Sequence, residues 1–178
     1  WVKGMKLAAE AANEAAVPWV FDPVAHFATP YRAQAAQELL ALNPTILRGN
    51  ASEIMGLGGQ ASEAKGVDAT DPVEAAEAGA MMLAKKHGSV VVITGETDFV
   101  TDGSRVARVS GGSEIMPMIT ALGCSLTCLM GGFAAVAPPM EAAATALALF
   151  AEAGVQAEKQ ATGPGSFQPH FLDALHNT

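Results

Sequence analysis

Three charged side chains stand just after short apolar runs, where they could together bind a phosphorylated ligand. Asp22 follows the run at 17–21, and Arg48 and Glu53 follow the run at 45–47. The planar fork of an arginine suits phosphate oxygens, and the two carboxylates could hold Mg²⁺ through water molecules. Alternatively, Glu53 complements a helix dipole and pairs with Arg48. Position along the chain does not decide between these interpretations.

A second candidate is the turn at 119–125, which enters a predicted helix with small residues and without charge. Free amides and the dipole at a helix N-terminus can bind an anion. Many helices begin near a glycine, so the pattern alone favours a structural turn. Cys124 would lie in the first turn, as a reactive thiol or as a small buried residue. Cys128 is predicted to be core, because no nearby His or Cys completes a metal site.

Alternating helical and strand patterns should position these residues. Helices are predicted at 2–16, 31–42, 51–57, 71–87, 123–136, 140–159 and 167–176. Strands are predicted at 17–21, 45–47 and 89–94, with a hairpin formed by 99–101 and 105–109 around Asp102-Gly103. Asn50 is the expected N-cap of the third helix, and the stretch at 58–70 is a predicted loop.

This alternation predicts an α/β fold with a mostly parallel sheet and helices on both faces. Ligands bind such sheets at the carboxyl ends of the strands. The residues that follow the strands therefore matter most, namely Asp22 and the segments 48–53, 94–98 and 120–124.

Composition excludes several classes of protein. The 178 residues suffice for a single domain, and the net charge of −8 disfavours binding to nucleic acid. No apolar run approaches the roughly 18 residues that a membrane span requires. Two cysteines do not form a disulfide framework and suggest a reducing cytoplasm. The chain starts at Trp1, directly before an uncapped helix, so we expect a piece of a longer polypeptide.

The motifs, taken together and in order, resemble the hydroxyethylthiazole kinase family. The resemblance runs along the whole chain and rests on Asp22-Pro23-Val24, Ala28-Thr29-Pro30-Tyr31-Arg32, Leu47-Arg48-Gly49-Asn50-Ala51-Ser52-Glu53-Ile54, Ile93-Thr94-Gly95-Glu96-Thr97-Asp98, Gly123-Cys124-Ser125-Leu126 and Gly163-Pro164-Gly165-Ser166-Phe167. It implies a ribokinase-like fold, ATP and Mg²⁺ as reactants, and phosphorylation of 4-methyl-5-(2-hydroxyethyl)thiazole in thiamine biosynthesis or salvage. It also implies a homotrimer with active sites at subunit boundaries.

The resemblance also implies roles for individual residues. Arg48 and Thr94 correspond to ATP-binding residues, and Asp22 and Glu53 to acidic residues near Mg²⁺. Cys124 takes the place of a catalytic aspartate in related kinases. Ala121 stands where the family has a glycine that contacts the thiazole alcohol.

The chain departs from the family pattern at several places. The anion turn has Ala121-Leu122 before Gly123-Cys124, where the family usually has Gly-Thr or Gly-Ala. Phe27 replaces an expected glycine, and roughly the first third of the family's length has no counterpart, so we expect a single domain that is N-terminally incomplete. Two alternatives follow: another small-alcohol kinase such as a hydroxymethylpyrimidine kinase, or a catalytically impaired oligomeric or ligand-binding remnant.

Overall fold

The computed structural model describes residues 1–59 and 72–177, which form five strands and seven α-helices. The strands are β1 (Val20–Phe21), β2 (Ile46–Asn50), β3 (Val90–Thr94), β4 (Thr97–Thr101) and β5 (Val106–Ser110). The helices are α1 (Val2–Glu14), α2 (Pro30–Leu40), α3 (Ala51–Leu57), α4 (Val73–His87), α5 (Leu122–Ala134), α6 (Pro139–Glu158) and α7 (Pro164–His176). Most of the loop predicted at 58–70 lies outside the described residues, as does Asp71 of the predicted helix start.

The strands form one sheet in the order β1-β2-β3-β4-β5. β1, β2 and β3 pair in parallel, whereas β4 is antiparallel to both of its neighbours. β5 therefore runs in the same direction as β3, and only β4 is reversed. The α/β fold class is confirmed, and so is the hairpin around Asp102-Gly103.

Helices cover both faces of the sheet and enclose two hydrophobic cores. Successive residues of β3 point to opposite faces, so Val90 and Val92 join a core with α5, α6 and α7. Val91 and Ile93 join the other core, which α2, α3 and α4 complete. A strand buried on both faces explains the unbroken apolar run that β3 shows in the sequence.

β2 is longer than the predicted strand at 45–47, which was expected to close before Arg48. The ladder with β3 continues through Arg48, Gly49 and Asn50, opposite residues 92–94. Backbone pairing with a buried neighbour maintains the strand although these three residues are not typical strand formers. Arg48 therefore lies within the regular sheet.

The helix α3 begins where the sequence predicted, at a capping box. The Asn50 side chain accepts from the Glu53 amide at 2.9 Å, and Glu53 Oε2 accepts from the Asn50 amide at 2.9 Å. α4 ends at Gly88 in the left-handed conformation, as predicted. Its start differs from the prediction, because Pro72 is the N-cap residue itself and the helix begins at Val73.

The prediction that Cys128 belongs to the core is wrong, because its side chain is exposed. The buried residues of α5 follow a spacing of four, namely Leu122, Leu126, Met130 and Ala134. Cys124 and Cys128 are one turn apart and lie on a different face of the helix from these buried residues. Across the described residues, no helix is both long enough and apolar enough to cross a membrane.

The packing of α7 gives a test of the fold. Phe171 is fully buried and stacks on Phe167, while its neighbour Leu172 is more than half exposed. Phe171→Ala should lower the free energy of unfolding by about 3–5 kcal/mol because it leaves a cavity. Leu172→Ala, the control, should change it by less than about 1 kcal/mol. Urea denaturation of both variants measures the difference, and equal losses would contradict the core assignment.

Candidate active site

The predicted site residues converge at the carboxyl ends of the three parallel strands. Asp22 directly follows β1, Arg48 lies in β2, and Thr94 ends β3. The N-terminus of α5 meets them there, since a Cβ built at Gly123 would lie 2.9 Å from Arg48 Nη1. The topology thus brings together side chains that are distant in the sequence.

Arg48 is the centre of this cluster. Its Nη1 donates to Asp22 Oδ2 at 3.1 Å, and its Nη2 donates to Thr94 Oγ1 at 2.8 Å. The side chains of Arg48 and Asp22 are only 13% and 10% exposed. Removing one partner of so buried an ion pair would leave an uncompensated charge. Arg48 therefore ties the ends of β1, β2 and β3 together.

Asp22 has a further partner that no sequence pattern indicates. Thr127 Oγ1 donates to Asp22 Oδ2 at 2.7 Å from the second turn of α5, 105 positions along the chain. The other oxygen, Oδ1, is buried and has no hydrogen-bond partner among the described residues. An unpaired buried acceptor is unusual in a folded protein, so Oδ1 has the capacity to accept one further donor.

Glu53 is buried next to this cluster, and both of its oxygens bind backbone amides. Oε1 accepts from the Ala25 amide and Oε2 from the Asn50 amide, each at 2.9 Å. Burial raises the pKa of the Glu53 carboxyl, and the nearby Asp22 charge adds to that rise. Arg48 pairs with Asp22 and not with Glu53. Glu53 caps the N-terminus of α3, in agreement with the alternative in which it complements the helix dipole, but the pairing with Arg48 that belonged to this alternative is absent.

The first turn of α5 presents free amides to the cluster. Ala121 is the N-cap and, having no polar side chain, provides no capping hydrogen bond. The first helical bond runs from the Ser125 amide to the Ala121 carbonyl, so the amides of the preceding residues have no partner within the helix. Cys124 is exposed in this turn, so the alternative that it is a small buried residue does not hold. This arrangement can bind an anion.

The turn from β3 to β4 forms another wall of the site. Asp98 Oδ1 accepts from the Gly95 amide at 2.9 Å and holds this turn closed. Burial raises the pKa of Asp98 to about 6, against a smaller opposing effect of the Arg48 charge. In the sequence, Asp98 stands out only within the segment 94–98 at the end of β3 and within the Ile93–Asp98 motif. Its carboxyl is the third one in the electrostatic field of Arg48, beside those of Asp22 and Glu53.

These walls enclose a cleft of about 910 Å³. Its lining includes the polar side chains of Arg48, Thr94 and Asp98 and the apolar side chains of Met116, Leu126, Leu147 and Phe150. The Met116 sulfur packs so closely on α6 that a Cβ at Gly154 would lie 2.5 Å from it. A cleft lined by both kinds of side chain can bind a ligand that has an apolar ring and polar groups.

Sequence comparison identifies the family. The sequence model of the hydroxyethylthiazole kinase family matches residues 1–178. The chain belongs to this family. The hydroxyethylthiazole kinase of Gemmatimonas aurantiaca is 61% identical over 175 residues, which are 98% of this chain and 63% of that protein. The chain thus spans slightly less than two thirds of the length of this relative.

Solved structures agree with the family. The hydroxyethylthiazole kinase of Pyrococcus horikoshii is 34% identical and superposes with a TM-score of 0.90, covering 100% of this chain and 66% of that one. A pyridoxal kinase of Bacillus subtilis, solved as an ADP complex, is 24% identical with a TM-score of 0.67, over 86% of this chain and 59% of that one. This second likeness shows the fold alone. The ribokinase-like fold that the sequence resemblance implied is confirmed.

The structure brings together the site residues that the sequence suggested. Asp22, Arg48 and Thr94 are joined by hydrogen bonds, Glu53 lies beside them, and the α5 turn with Ala121 and Cys124 closes the group. Thr127 was missed because its contact with Asp22 depends on tertiary packing. No sequence spacing signals it.

The close approach of Gly123 to Arg48 gives a second prediction. In Gly123→Ala the new Cβ must displace the guanidinium, so the affinity for an anion, probed with pyrophosphate, should fall about 10-fold, the scale of one charged hydrogen bond. Gly132→Ala on the same helix is the control, because a Cβ there meets nothing within 4 Å. It should leave pyrophosphate affinity unchanged and stabilise the helix by up to about 1 kcal/mol. Calorimetric titration distinguishes them, and unchanged affinity in Gly123→Ala would contradict the assignment.

Asp98 gives a prediction about pH. A carboxyl whose pKa rises from 3.8 to about 6 on folding binds more protons in the folded state, so its contribution to stability falls as pH rises from about 4 to 7. Asp98→Asn should therefore raise the free energy of unfolding by about 1–3 kcal/mol at pH 8. The gain should vanish near pH 4. Glu96→Gln removes a charge from an exposed position in the same turn and is the control. A gain in the free energy of unfolding of Asp98→Asn that does not depend on pH would contradict the raised pKa of Asp98.

Proposed function

We propose that the protein to which this chain belongs is a kinase that transfers the γ-phosphate of ATP to the primary alcohol of 4-methyl-5-(2-hydroxyethyl)thiazole. The reaction would serve thiamine biosynthesis or salvage. The observation that carries the proposal is membership of the hydroxyethylthiazole kinase family along the whole chain, combined with a cleft that is lined by the largely buried Arg48.

ATP is the co-substrate in this proposal, and Arg48 and Thr94 bind its phosphates. The ADP complex of the Bacillus subtilis pyridoxal kinase, which shares the fold, supports a nucleotide in this cleft. Arg48 already donates from both terminal nitrogens, and its buried Nε has no partner among the described residues. A phosphate group would satisfy this fork better than the neutral Thr94 hydroxyl does.

Mg²⁺ fits the acidic residues of the site. It favours octahedral oxygen sites made of one or two carboxylates, waters and substrate phosphates. Asp22 has one free buried oxygen, whereas both Glu53 oxygens bind amides, so Glu53 would act through water. No group of three acidic, His or Cys side chains in the described part of the chain could bind a metal by itself. When bound, the ion would neutralise phosphate charge.

The first turn of α5 would stabilise the transferring phosphoryl group, because phosphoryl transfer depends mainly on positioning and on neutralised charge. Its unpartnered amides would donate to the phosphoryl oxygens. Ala121 would contact the substrate alcohol, and Cys124 would lie near the attacking hydroxyl as a base or as a shaping group.

The oligomeric state and the extent of the domain are predictions from the family resemblance. The cellular location is a prediction from the cysteine content. We propose a homotrimer with active sites at its subunit boundaries. The exposed apolar side chains of Trp1, the N-cap residue of α1, and of Met5 and Leu7 in α1 are available for contact with further protein. A reducing cytoplasm suits the two free cysteines. The proposed unit is a single ribokinase-like domain, N-terminally incomplete in this chain. Sedimentation analysis of the full-length protein tests the trimer.

The direct experiment measures product formation by the full-length protein and by the 178-residue chain. Each is incubated with ATP, Mg²⁺ and the thiazole alcohol, and the phosphorylated product is identified by mass spectrometry. The full-length protein should form the thiazole phosphate, and the isolated chain should not. A parallel reaction with hydroxymethylpyrimidine tests the alternative that the protein is another small-alcohol kinase. A reaction without acceptor gives the background against which an inactive remnant would be recognised. Phosphorylation of hydroxymethylpyrimidine alone, or of neither alcohol, would contradict the proposal.

The role of Cys124 predicts a large kinetic effect. In the full-length protein, Cys124→Ala should lower kcat about 10²-fold or more, the scale of a lost general base. Cys124→Asp should keep or raise activity, because related kinases have a carboxylate there. Cys128→Ala, which removes an exposed thiol one turn later, should keep normal activity. Full activity in Cys124→Ala would show that this cysteine only shapes the turn.

Ala121 predicts a gain from a single substitution. Its φ of 65° is left-handed, a conformation that costs an L-residue with a Cβ about 1–2 kcal/mol. Ala121→Gly should stabilise the protein by about 1 kcal/mol and raise kcat more than ATP affinity, whereas Ala135→Gly, at φ −70°, should destabilise it. Leu122→Thr would confound the test because Leu122 is buried. Urea denaturation measures the free energy of unfolding, and steady-state kinetics measure kcat and ATP affinity. An unchanged kcat in Ala121→Gly would contradict the prediction, because it would show that Ala121 does not impair the turn.

A further inference from the structure

The carboxylate of Asp22 is held asymmetrically. Oδ2 accepts two hydrogen bonds, from Arg48 Nη1 at 3.1 Å and from Thr127 Oγ1 at 2.7 Å. Oδ1 is buried without a partner in the described part of the chain. Two donors on one oxygen fix the orientation of the carboxylate plane, and they leave the other oxygen free.

The Thr127 hydroxyl has a second possible hydrogen-bond acceptor within its own helix. The Gly123 carbonyl, four residues earlier on α5, lies 3.2 Å from Thr127 Oγ1. Threonines in helices commonly donate to that carbonyl. The contact with Asp22 is shorter, and its acceptor is charged, so it is the stronger of the two. The single hydroxyl proton therefore goes to Asp22.

The backbone next to Asp22 does less to fix the position of its carboxylate than these two hydrogen bonds do. β1 has only two residues and pairs with β2 along one edge, and Asp22 lies just beyond its end. Arg48 holds the carboxylate from the β2 side and Thr127 holds it from the α5 side. Thr127 thereby couples the orientation of Asp22 to the helix whose first turn has the free amides.

We propose that Thr127 is a positioning residue for the divalent cation, which orients Asp22 so that Oδ1 accepts from a cation-bound water. The inference rests on the proposed function, since it concerns the same site. A purely structural Thr127 would support the packing of α5 against β1 and would affect metal-bound and metal-free nucleotide binding equally. A positioning Thr127 affects only the part of nucleotide binding that depends on Mg²⁺.

The test is calorimetric titration of the protein with ADP, once in EDTA and once with saturating MgCl₂. The ratio of the two dissociation constants measures the gain from Mg²⁺. Thr127→Val removes the hydroxyl at nearly constant volume and should lower this gain at least 5-fold, with affinity in EDTA within 2-fold of wild type. Thr127→Ser, which keeps the hydroxyl, should retain most of the gain. Thr127→Ala replaces the valine variant if that variant does not fold.

Cys128→Ala is the matched control, because it truncates the side chain next to Thr127 on the same helix, where the thiol is exposed and lies outside the turn at 119–125. It should bind ADP as wild type does in both conditions. An unchanged Mg²⁺ gain in Thr127→Val, or equal losses with and without Mg²⁺, would overturn the role of Thr127 and leave the proposed function standing. Wild-type protein that binds no ADP in either condition would overturn both proposals.

Discussion

The burial of one guanidinium organises this molecule. Arg48 lies in the sheet with little exposure to solvent, and a charge in that position requires partners on every accessible side. Asp22 and Thr94 provide them from the two neighbouring strand ends. The same neighbours leave hydrogen-bonding capacity unused, because the guanidinium and the carboxylate each retain one buried atom without a partner among the described residues. The ion pair thus joins the fold to the chemistry of the cleft.

The approach of α5 follows from this ion pair. A glycine at position 123 lets the helix backbone come close to the guanidinium, and the left-handed Ala121 starts the helix without a side-chain cap. Both features leave amides free next to a positive charge, which favours an anion. The apolar face of α5 packs into the core below, so the first turn is held in place by the same residues that stabilise the domain.

Much of this arrangement could be predicted from sequence, and the failures have physical causes. The alternation of apolar strands and helices predicted the layers, and Asn50 predicted the start of α3, because these signals are local. The pairing of Arg48 with Asp22, and the donation by Thr127, join positions 26 and 105 residues apart. Such contacts have no local signal. Cys128 was misassigned because helix composition alone does not show which stripe faces the core.

Binding of ADP and adenosine to Arg48→Lys, which keeps a positive charge beside Asp22 but removes the guanidinium fork, tests the central claim most directly when it is measured by calorimetry beside wild type. If Arg48 binds the phosphates, ADP affinity falls about 10–100-fold, which is the worth of hydrogen bonds to a charged group. Adenosine, which has no phosphate, binds both proteins equally well. Equal ADP affinity in the two proteins would contradict the claim, and so would a parallel loss of adenosine binding.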